Sequence, residues 1–298
     1  MSLCSNIFIH IALWSLFALH TLCQNSTNPI FQTFKTEPTF KPPVFTIDKS
    51  GAELADGLIV FTPIEAQDSA PMLMTDCGDL VWNGPNVPST NLFVQPLDGQ
   101  PVLSYWSGSA STLGIGYGNV TILDDQYNEL YTLCPDLPVL TPNGTRTGCT
   151  LDLHESSITD RGTILVTVMN ITKADLTSVG GPKEGWIYDS FFLELDIKTQ
   201  DIVFQWSPLA AGIPINSTNL PLLNTGGSVS NPFDWFHLNS VQAVGDGYLV
   251  NSRNTWSTYA VNADGKVEWV IQGSTGGDFK LGDGVHFVSI PDHLFIVH

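Results

Sequence analysis

Basic residues are scarce in this sequence. Only 11 Lys and Arg stand against 29 Asp and Glu, which gives a formal net charge of −18 over 298 residues. Charged residues of both signs amount to 13% of the chain, about half the usual share of a soluble domain. A strongly negative field repels nucleic-acid backbones and anionic membrane surfaces. We therefore expect no nucleic acid and no membrane surface among the partners of this protein.

Helical periodicity is also missing. After the first 23 residues no stretch keeps the spacing of apolar residues that an amphipathic helix needs, which excludes a helical bundle. In its place the sequence has 26 glycines, 19 prolines and short apolar runs rich in aromatic residues. Short strands separated by many turns account for this composition, so we predict an all-β fold.

Two kinds of turn-and-strand unit recur along the chain. A turn followed by an apolar strand occurs at 56–61, 160–166 and 245–250; a short turn followed by a strand that closes on an aromatic residue occurs at 78–82, 126–131, 199–206 and 264–269. Self-similar units of about 50 to 70 residues, each with room for four strands, are typical of β-propeller blades. We predict about four to five blades. Because 294–298 reads as a strand with no following blade to close the ring, we expect the propeller to be truncated at its C-terminus.

The sequence divides into three parts. Residues 1–23 carry no charge and are mostly apolar from 7 to 22, which predicts a secretory signal peptide; an uncleaved N-terminal anchor is the alternative. Residues 24–55 are polar and proline-bearing, and we expect an extended segment. Residues 56–298 form the predicted propeller. Secretion agrees with five glycosylation sequons, which begin at Asn25, Asn119, Asn143, Asn170 and Asn216.

Removal of the signal peptide leaves three of the five cysteines. Cys134 and Cys149 bracket a loop of surface character, so we predict a disulfide between them. Cys77 is left over, and we expect it to be buried. Neither Cys-x-x-Cys nor His-Glu-x-x-His occurs, so a zinc site has little support and we predict no cofactor.

Histidines and one arginine are the candidates for chemistry. His237 and Arg253 flank two strands joined by a Gly-Asp-Gly turn, and such a hairpin brings both side chains to one edge of a sheet. His154 and His286 lie at turns next to other strands, and a propeller gathers such positions around one channel. Imidazoles supply nucleophiles and acid–base groups, while a guanidinium binds the oxygens of an anion. This set suits transfer of an anionic group. A surface hairpin with an incidental histidine, and a histidine-bound metal or quinone oxidoreductase, are alternatives.

These motifs resemble the arylsulfotransferase family, in its fungal secreted branch. The Phe-His-x-Asn-Ser motif, followed by a strand that ends in Ser-Arg, is the most specific part of the resemblance. The matching segments are 100–108, 114–118, 152–155, 186–196, 234–240 and 252–253.

The resemblance implies a six-bladed propeller that moves sulfate from a phenolic sulfate ester to another phenol through a sulfohistidine, without a nucleotide donor. Its partners would be a small aryl sulfate and a phenol. His286 would be the nucleophile, Arg253 and His237 would stabilise the transferred group, and His154 would assist. Where fungal members usually read Gln-His-Asp-x-Arg, this sequence has Val-His-Phe-Val-Ser at 285–289. That departure favours the alternative of a non-catalytic secreted propeller that binds a glycan or an aromatic ligand.

Overall fold

The regular structure of the chain consists of β-strands. The computed structural model describes residues 31–51, 56–63, 68–272 and 276–279. Within these ranges there are two 3₁₀ turns, Thr177–Val179 and Ile215–Ser217, and no α-helix, which confirms the all-β prediction. No helix in this part of the chain is both long and apolar enough to cross a bilayer.

The strands are β1 (Ile59–Phe61), β2 (Met72–Met74), β3 (Leu80–Asn83), β4 (Ser89–Leu97), β5 (Gln100–Ala110), β6 (Gly116–Leu123), β7 (Glu129–Leu133), β8 (Val139–Thr141), β9 (Gly144–Arg146), β10 (Leu151–Ile158), β11 (Thr163–Ala174), β12 (Gly185–Asp196), β13 (Ile202–Trp206), β14 (Leu238–Val244), β15 (Gly247–Ser252), β16 (Ser257–Val261) and β17 (Val267–Gln272).

The strands follow one another in antiparallel meanders. β1 to β3 form a three-stranded sheet, and β4–β7, β10–β13 and β14–β17 each form a meander of four strands. The two middle meanders are joined into one sheet by a single pair, Gly118 with Leu151. All seven predicted turn-and-strand units contain a strand: β1, β11 and β15 of the first kind, and β3, β7, β13 and β17 of the second.

The first strands of successive meanders are joined by hydrogen bonds from side chains. The Gln95 amide of β4 donates to the Ser156 carbonyl of β10 at 2.8 Å and accepts from the Ile158 N–H at 2.7 Å. In turn, the Glu155 carboxyl of β10 accepts from the Val241 N–H of β14 at 3.1 Å. β10 is therefore bonded to β4 through its backbone and to β14 through a side chain.

The indole of Trp106 fills the space between the two middle meanders. It is buried, and its Nε1–H donates to the Leu151 carbonyl at 2.9 Å. A Cβ atom at Gly108, Gly116 or Gly118 would lie 2.8 Å from the Trp106 ring, too close for any other residue. The glycines of the 114–118 segment therefore include two that make room for this ring, and β6 lies close to β10 as a result.

The N-terminal residues in the description, 31–51, contain no named strand. Gln32 joins them to the first sheet, because its side chain donates to the Gly78 carbonyl at 2.9 Å and accepts from the Leu80 N–H at 3.2 Å. The signal peptide and Asn25 lie outside the described residues. The predicted limits of the three parts stay a prediction.

Cys134 and Cys149 form the predicted disulfide, with Cα atoms 4.6 Å apart. The loop that they close contains the β8–β9 hairpin. Cys77 lies outside this pair, and the expectation that it is buried is wrong: it is partly exposed, with the Lys49 ammonium 3.4 Å from its Sγ.

We expect the disulfide to contribute to stability. Cross-linking removes conformational entropy from the unfolded chain, and for a separation of 15 residues this amounts to about 3 kcal/mol. Urea unfolding of a Cys134→Ala/Cys149→Ala variant should show a loss of that size in the free energy of unfolding. Cys77→Ala is the matched control and should change it little. An unchanged free energy of unfolding for the double variant would mean that the disulfide does not restrict the conformational entropy of the unfolded chain.

Candidate functional site

Three of the predicted residues meet where β10, β14 and β15 come together. His237 lies one residue before β14 and Arg253 one residue after β15. Since β14 and β15 pair antiparallel, with Leu238 opposite Ser252, the two flanking residues are neighbours. The Arg253 N–H donates to the His237 carbonyl at 2.9 Å. The predicted hairpin, with its turn at Gly245 and Asp246, therefore brings these two residues together.

His237 is held in an unusual backbone conformation. Its φ is +54°, in the left-handed region, which few residues other than glycine adopt and which clusters at functional sites. A register shift between Leu238 and Ser240 follows directly. The side chain is fully buried, and its Nδ1 lies 2.6 Å from Oδ2 of Asp234. The alternative of a surface histidine is therefore wrong, while a role for His237 in chemistry stays a prediction.

His154 is oriented by a second carboxylate. Its Nδ1 lies 2.6 Å from Oδ2 of the fully buried Asp152. The other oxygen of Asp152 accepts from the Gly116 N–H at 2.7 Å. Burial by itself would raise the pKa of the Asp152 carboxyl, but the charge and hydrogen bond of His154, together with the Gly116 N–H, outweigh burial and hold that pKa below its ordinary value.

The two imidazoles face each other. Nε2 of His154 lies 3.2 Å from Nε2 of His237, and the rings are perpendicular with centroids 4.8 Å apart. Each Nδ1–H donates to its own carboxylate, so only the Nε2 atoms remain to interact. Two facing nitrogens form a hydrogen bond when one carries a proton and the other does not. The four side chains thus form the row Asp152–His154–His237–Asp234, in which the two Nε2 atoms are placed to share a proton.

Arg253 completes the cluster. Its Nη2 lies 3.0 Å from Nδ1 of His237 and 3.7 Å from Oδ2 of Asp234. A guanidinium only donates, and the His237 Nδ1 is already a donor to Asp234, so the shorter contact is one of charge with the Asp234–His237 pair. The Arg253 side chain is 46% exposed. Several of its N–H groups therefore face solvent beside the imidazoles, where they can bind an incoming anion.

A buried scaffold holds the segment that contains Asp234 and His237. Phe236 is fully buried, and its carbonyl accepts from the Asn254 N–H at 3.1 Å and the Ser252 hydroxyl at 2.5 Å. The Asn254 side chain also donates to the Asp234 carbonyl at 2.7 Å. These bonds hold the segment of Asp234 and His237 against Ser252 and Asn254, the two neighbours of Arg253 in the chain.

A second feature lies beside the cluster along β10. Glu155 follows His154 and lines a cavity of about 220 Å³ between β4, β10 and β14, together with Gln95, Ser240 and Asn251. Its carboxyl accepts from the N–H groups of Val241 and Ser156. Burial raises the pKa of Glu155 to about 8, against the opposing effect of these N–H groups and of His154. A carboxyl that is partly protonated at neutral pH thus lies next to the paired imidazoles.

The cluster has the composition of an anion-handling site. In the described part of the chain no group of three or more His, Cys, Asp or Glu side chains is arranged to hold a metal ion. One guanidinium and two imidazoles lie beside the two carboxylates, so the cluster offers a positive charge and N–H donors within an acidic protein. Such donors allow it to accept a negatively charged group.

The structure brings together His154, His237 and Arg253, while His286 lies outside the described residues. The roles of all four stay predictions. The sequence analysis did not assign Asp152 and Asp234 to the site. The available signal was an aspartate two or three residues before each histidine, but this spacing is common in turns and does not by itself indicate a contact.

Comparison with known proteins identifies a family. The family model described as Arylsulfotransferase (ASST) matches residues 93–295, which is more than half of the chain. A comparison with curated proteins finds no matching sequence. The matched range contains the histidine pair, both of its carboxylates and Arg253.

Proposed function

Because the chain belongs to the arylsulfotransferase family, we propose that it transfers a sulfuryl group from a phenolic sulfate ester to a second phenol through a sulfohistidine, without a nucleotide donor. The observation that carries this proposal is the pair of facing imidazoles beside an exposed guanidinium. These groups provide N–H donors for the oxygens of a sulfuryl group and a proton for a departing phenolate.

In the proposed reaction His286 is the nucleophile. Its neutral imidazole attacks sulfur, an N–S bond forms, and the S–O bond to the first aryl group breaks. The proton between His154 and His237 is available to the leaving phenolate oxygen, while the Arg253 N–H groups stabilise the sulfuryl oxygens. In the second half the acceptor phenol loses its proton to the histidine pair and attacks sulfur, and the N–S bond breaks. The pair returns to its initial protonation state, so the cycle consumes no other reactant.

The test is to incubate the purified protein with 4-nitrophenyl sulfate, first alone and then with phenol. We expect one sulfuryl group on the peptide that contains His286 before phenol is added, and 4-nitrophenolate and phenyl sulfate in equal amounts afterwards. His286→Ala should abolish both. Saturable binding of the aryl sulfate without turnover would instead identify the alternative, a non-catalytic protein that binds an aromatic ligand or a glycan.

Asp152 and Asp234 act in this proposal as positioning residues. We expect Asp152→Asn to lower kcat by about tenfold to a hundredfold with little change in KM, the range typical of partners that orient a histidine. An asparagine keeps the shape but can turn its NH₂ toward Nδ1, which favours the wrong tautomer of His154. A shifted pH profile of kcat should accompany the loss. Asp98→Asn, at an exposed ion pair with Lys198, is the control, and an unchanged pH profile for Asp152→Asn would contradict the role.

The meanders are further proposed to be propeller blades. The hydrogen bonds between the first strands β4, β10 and β14 support this arrangement, because a propeller places the first strands of its blades side by side around one axis. A crystal structure that stacked the meanders face to face as a sandwich would contradict it.

Secretion is part of the same proposal, with residues 1–23 as the cleaved signal. We expect glycans at Asn143 and Asn216, because both are exposed. We expect none at Asn119 and Asn170, which lie within strands and accept hydrogen bonds from Ser107 and from the Leu140 N–H. Mass spectrometry of peptides from the secreted protein after enzymatic deglycosylation checks each site. Occupancy of Asn119 or Asn170 would mean that these strands are not yet formed when glycans are added.

A further inference from the structure

A second cavity lies apart from the one that Glu155 lines. It has a volume of about 420 Å³ and lies between the β8–β9 hairpin and the ends of β5, β6 and β12. We name it the hairpin pocket. Its lining includes Ser109, Ser111, Tyr117, Asn143, Arg146 and Tyr188. Its size lies within the range of small-molecule sites.

The charge of the hairpin pocket is opposite to that of the protein. Arg146 contributes a positive charge, and no Asp or Glu lines the cavity, although the chain has 29 acidic residues. The described carboxylates form ion pairs with Arg161 and Arg253 but none with Arg146. A guanidinium without a carboxylate in such an acidic chain favours an anionic ligand.

Arg146 is held in place by its neighbours. Its Nη1 donates to the Ser109 hydroxyl at 3.2 Å, its Nη2 to the Tyr117 carbonyl at 3.5 Å, and its guanidinium lies 5.4 Å from the centre of the Tyr117 ring. These contacts leave other N–H groups of the guanidinium for a ligand. The Cys134–Cys149 disulfide closes the loop that carries Arg146, so this wall of the pocket is anchored on both sides.

The other walls are aromatic and lie next to the histidine cluster. Tyr117 follows Gly116, whose N–H donates a hydrogen bond to the Asp152 carboxylate. Tyr188 pairs through its backbone N–H with the carbonyl of Phe233, the residue before Asp234. Burial raises the pKa of Tyr188 to about 12, and the charge of Asp234 adds to this effect, which places that phenol within electrostatic range of the cluster. The two tyrosine rings provide surfaces on which a planar ring can stack.

We propose that the hairpin pocket binds an aromatic anion, with the ring against Tyr117 and Tyr188 and the anionic substituent on Arg146. As a description of the acceptor it rests on the proposed function: the preferred acceptors are phenols that carry a second, acidic substituent. The phenolic hydroxyl then lies toward the histidine pair and the acid lies away from it.

Calorimetric titration tests the binding without any need for turnover. The protein and all its variants carry Thr145→Ala, which removes the sequon at Asn143 and keeps a glycan off the rim without creating a carboxylate there. The probes are 4-hydroxybenzoate, its neutral counterpart 4-hydroxybenzamide, and inorganic sulfate. We expect the benzoate to bind at least tenfold more tightly than the amide. Arg146→Ala should remove this preference, and Arg146→Lys should retain part of it. Lys173→Ala removes a similar exposed cation above Trp186 and should leave the preference intact.

Equal affinities for the benzoate and the amide, an undiminished preference in Arg146→Ala, or no binding of the benzoate would overturn the proposal. If inorganic sulfate binds as tightly as the benzoate, the aromatic ring contributes nothing to affinity, and the proposal of an aromatic ligand fails. A parallel assay of sulfuryl transfer to unsubstituted phenol separates the two ideas. If the wild type transfers to phenol but binds the benzoate and the amide equally, only the pocket assignment fails. If the wild type transfers to no phenol but still prefers the benzoate, the proposed function fails and the binding site stands.

Discussion

Replacing Arg253 with alanine is expected to lower kcat/KM for sulfuryl transfer by about 10²- to 10³-fold, the usual cost of removing one donor that stabilises developing charge. The guanidinium lies beside the Asp234–His237 pair with almost half of its side chain exposed. No other cation of the described residues lies in the cluster. Without it, two carboxylates face the incoming sulfate with only the shared proton of the histidine pair to offset them.

The hairpin itself should survive this substitution. Arg253 is held by its backbone N–H, which donates to the His237 carbonyl, and alanine keeps that bond. Arg253→Lys should recover part of the rate, because an ammonium restores the charge but not the planar fork. Lys198→Ala removes a positive charge from an exposed pair with Asp98 and is the matched control. Initial rates of 4-nitrophenolate release, with thermal unfolding of each variant, make the comparison. A rate for Arg253→Ala within threefold of the wild type would exclude Arg253 from the reaction.

Local patterns in the sequence predict the strands well. The units at 160–166 and 245–250 begin with a turn that contains glycine and continue with apolar residues, and both contain strands because nothing in their neighbourhood opposes the local preference. The hairpin between β14 and β15 also fixes the meeting of His237 with Arg253. Counting outward from the turn pairs Val244 with Gly247 and Ser240 with Asn251. This places His237 within one residue of Arg253, and the register shift between Leu238 and Ser240 makes them neighbours.

Contacts across long separations are not predictable in the same way. His154 and His237 are 83 residues apart, and their contact depends on how β10 lies against β14. That placement includes the bond from the Val241 N–H to the Glu155 carboxyl, 86 residues away, which no hydrophobic pattern reveals. The left-handed φ of His237 and the register shift that follows it are likewise not visible in the hydrophobic pattern. The choice of carboxylate partners for the two imidazoles comes from the same packing.

Glu155 gives the second large effect, which is a dependence of stability on pH. Its pKa is about 8 in the folded protein because of burial, against an ordinary value of 4.5. Between these values the folded protein holds a proton that the unfolded chain has lost. The free energy of unfolding therefore falls as pH rises through this window, by up to about 1.4 kcal/mol per pH unit. Over the whole window the loss is on the order of 5 kcal/mol.

Glu155→Gln should remove this contribution. Urea unfolding from pH 5 to pH 8.5 is expected to show a shallower fall in the free energy of unfolding for the variant than for the wild type. The absolute value is a poorer measure, because the amide NH₂ of glutamine must face one of the two backbone N–H groups that now donate to Glu155. That clash lowers stability at every pH and leaves the slope unaffected. Glu184→Gln, at an exposed ion pair with Lys173, controls for loss of a carboxylate at the surface. Equal slopes for the wild type and Glu155→Gln would mean that Glu155 stays ionised, held by its two N–H donors and the neighbouring His154.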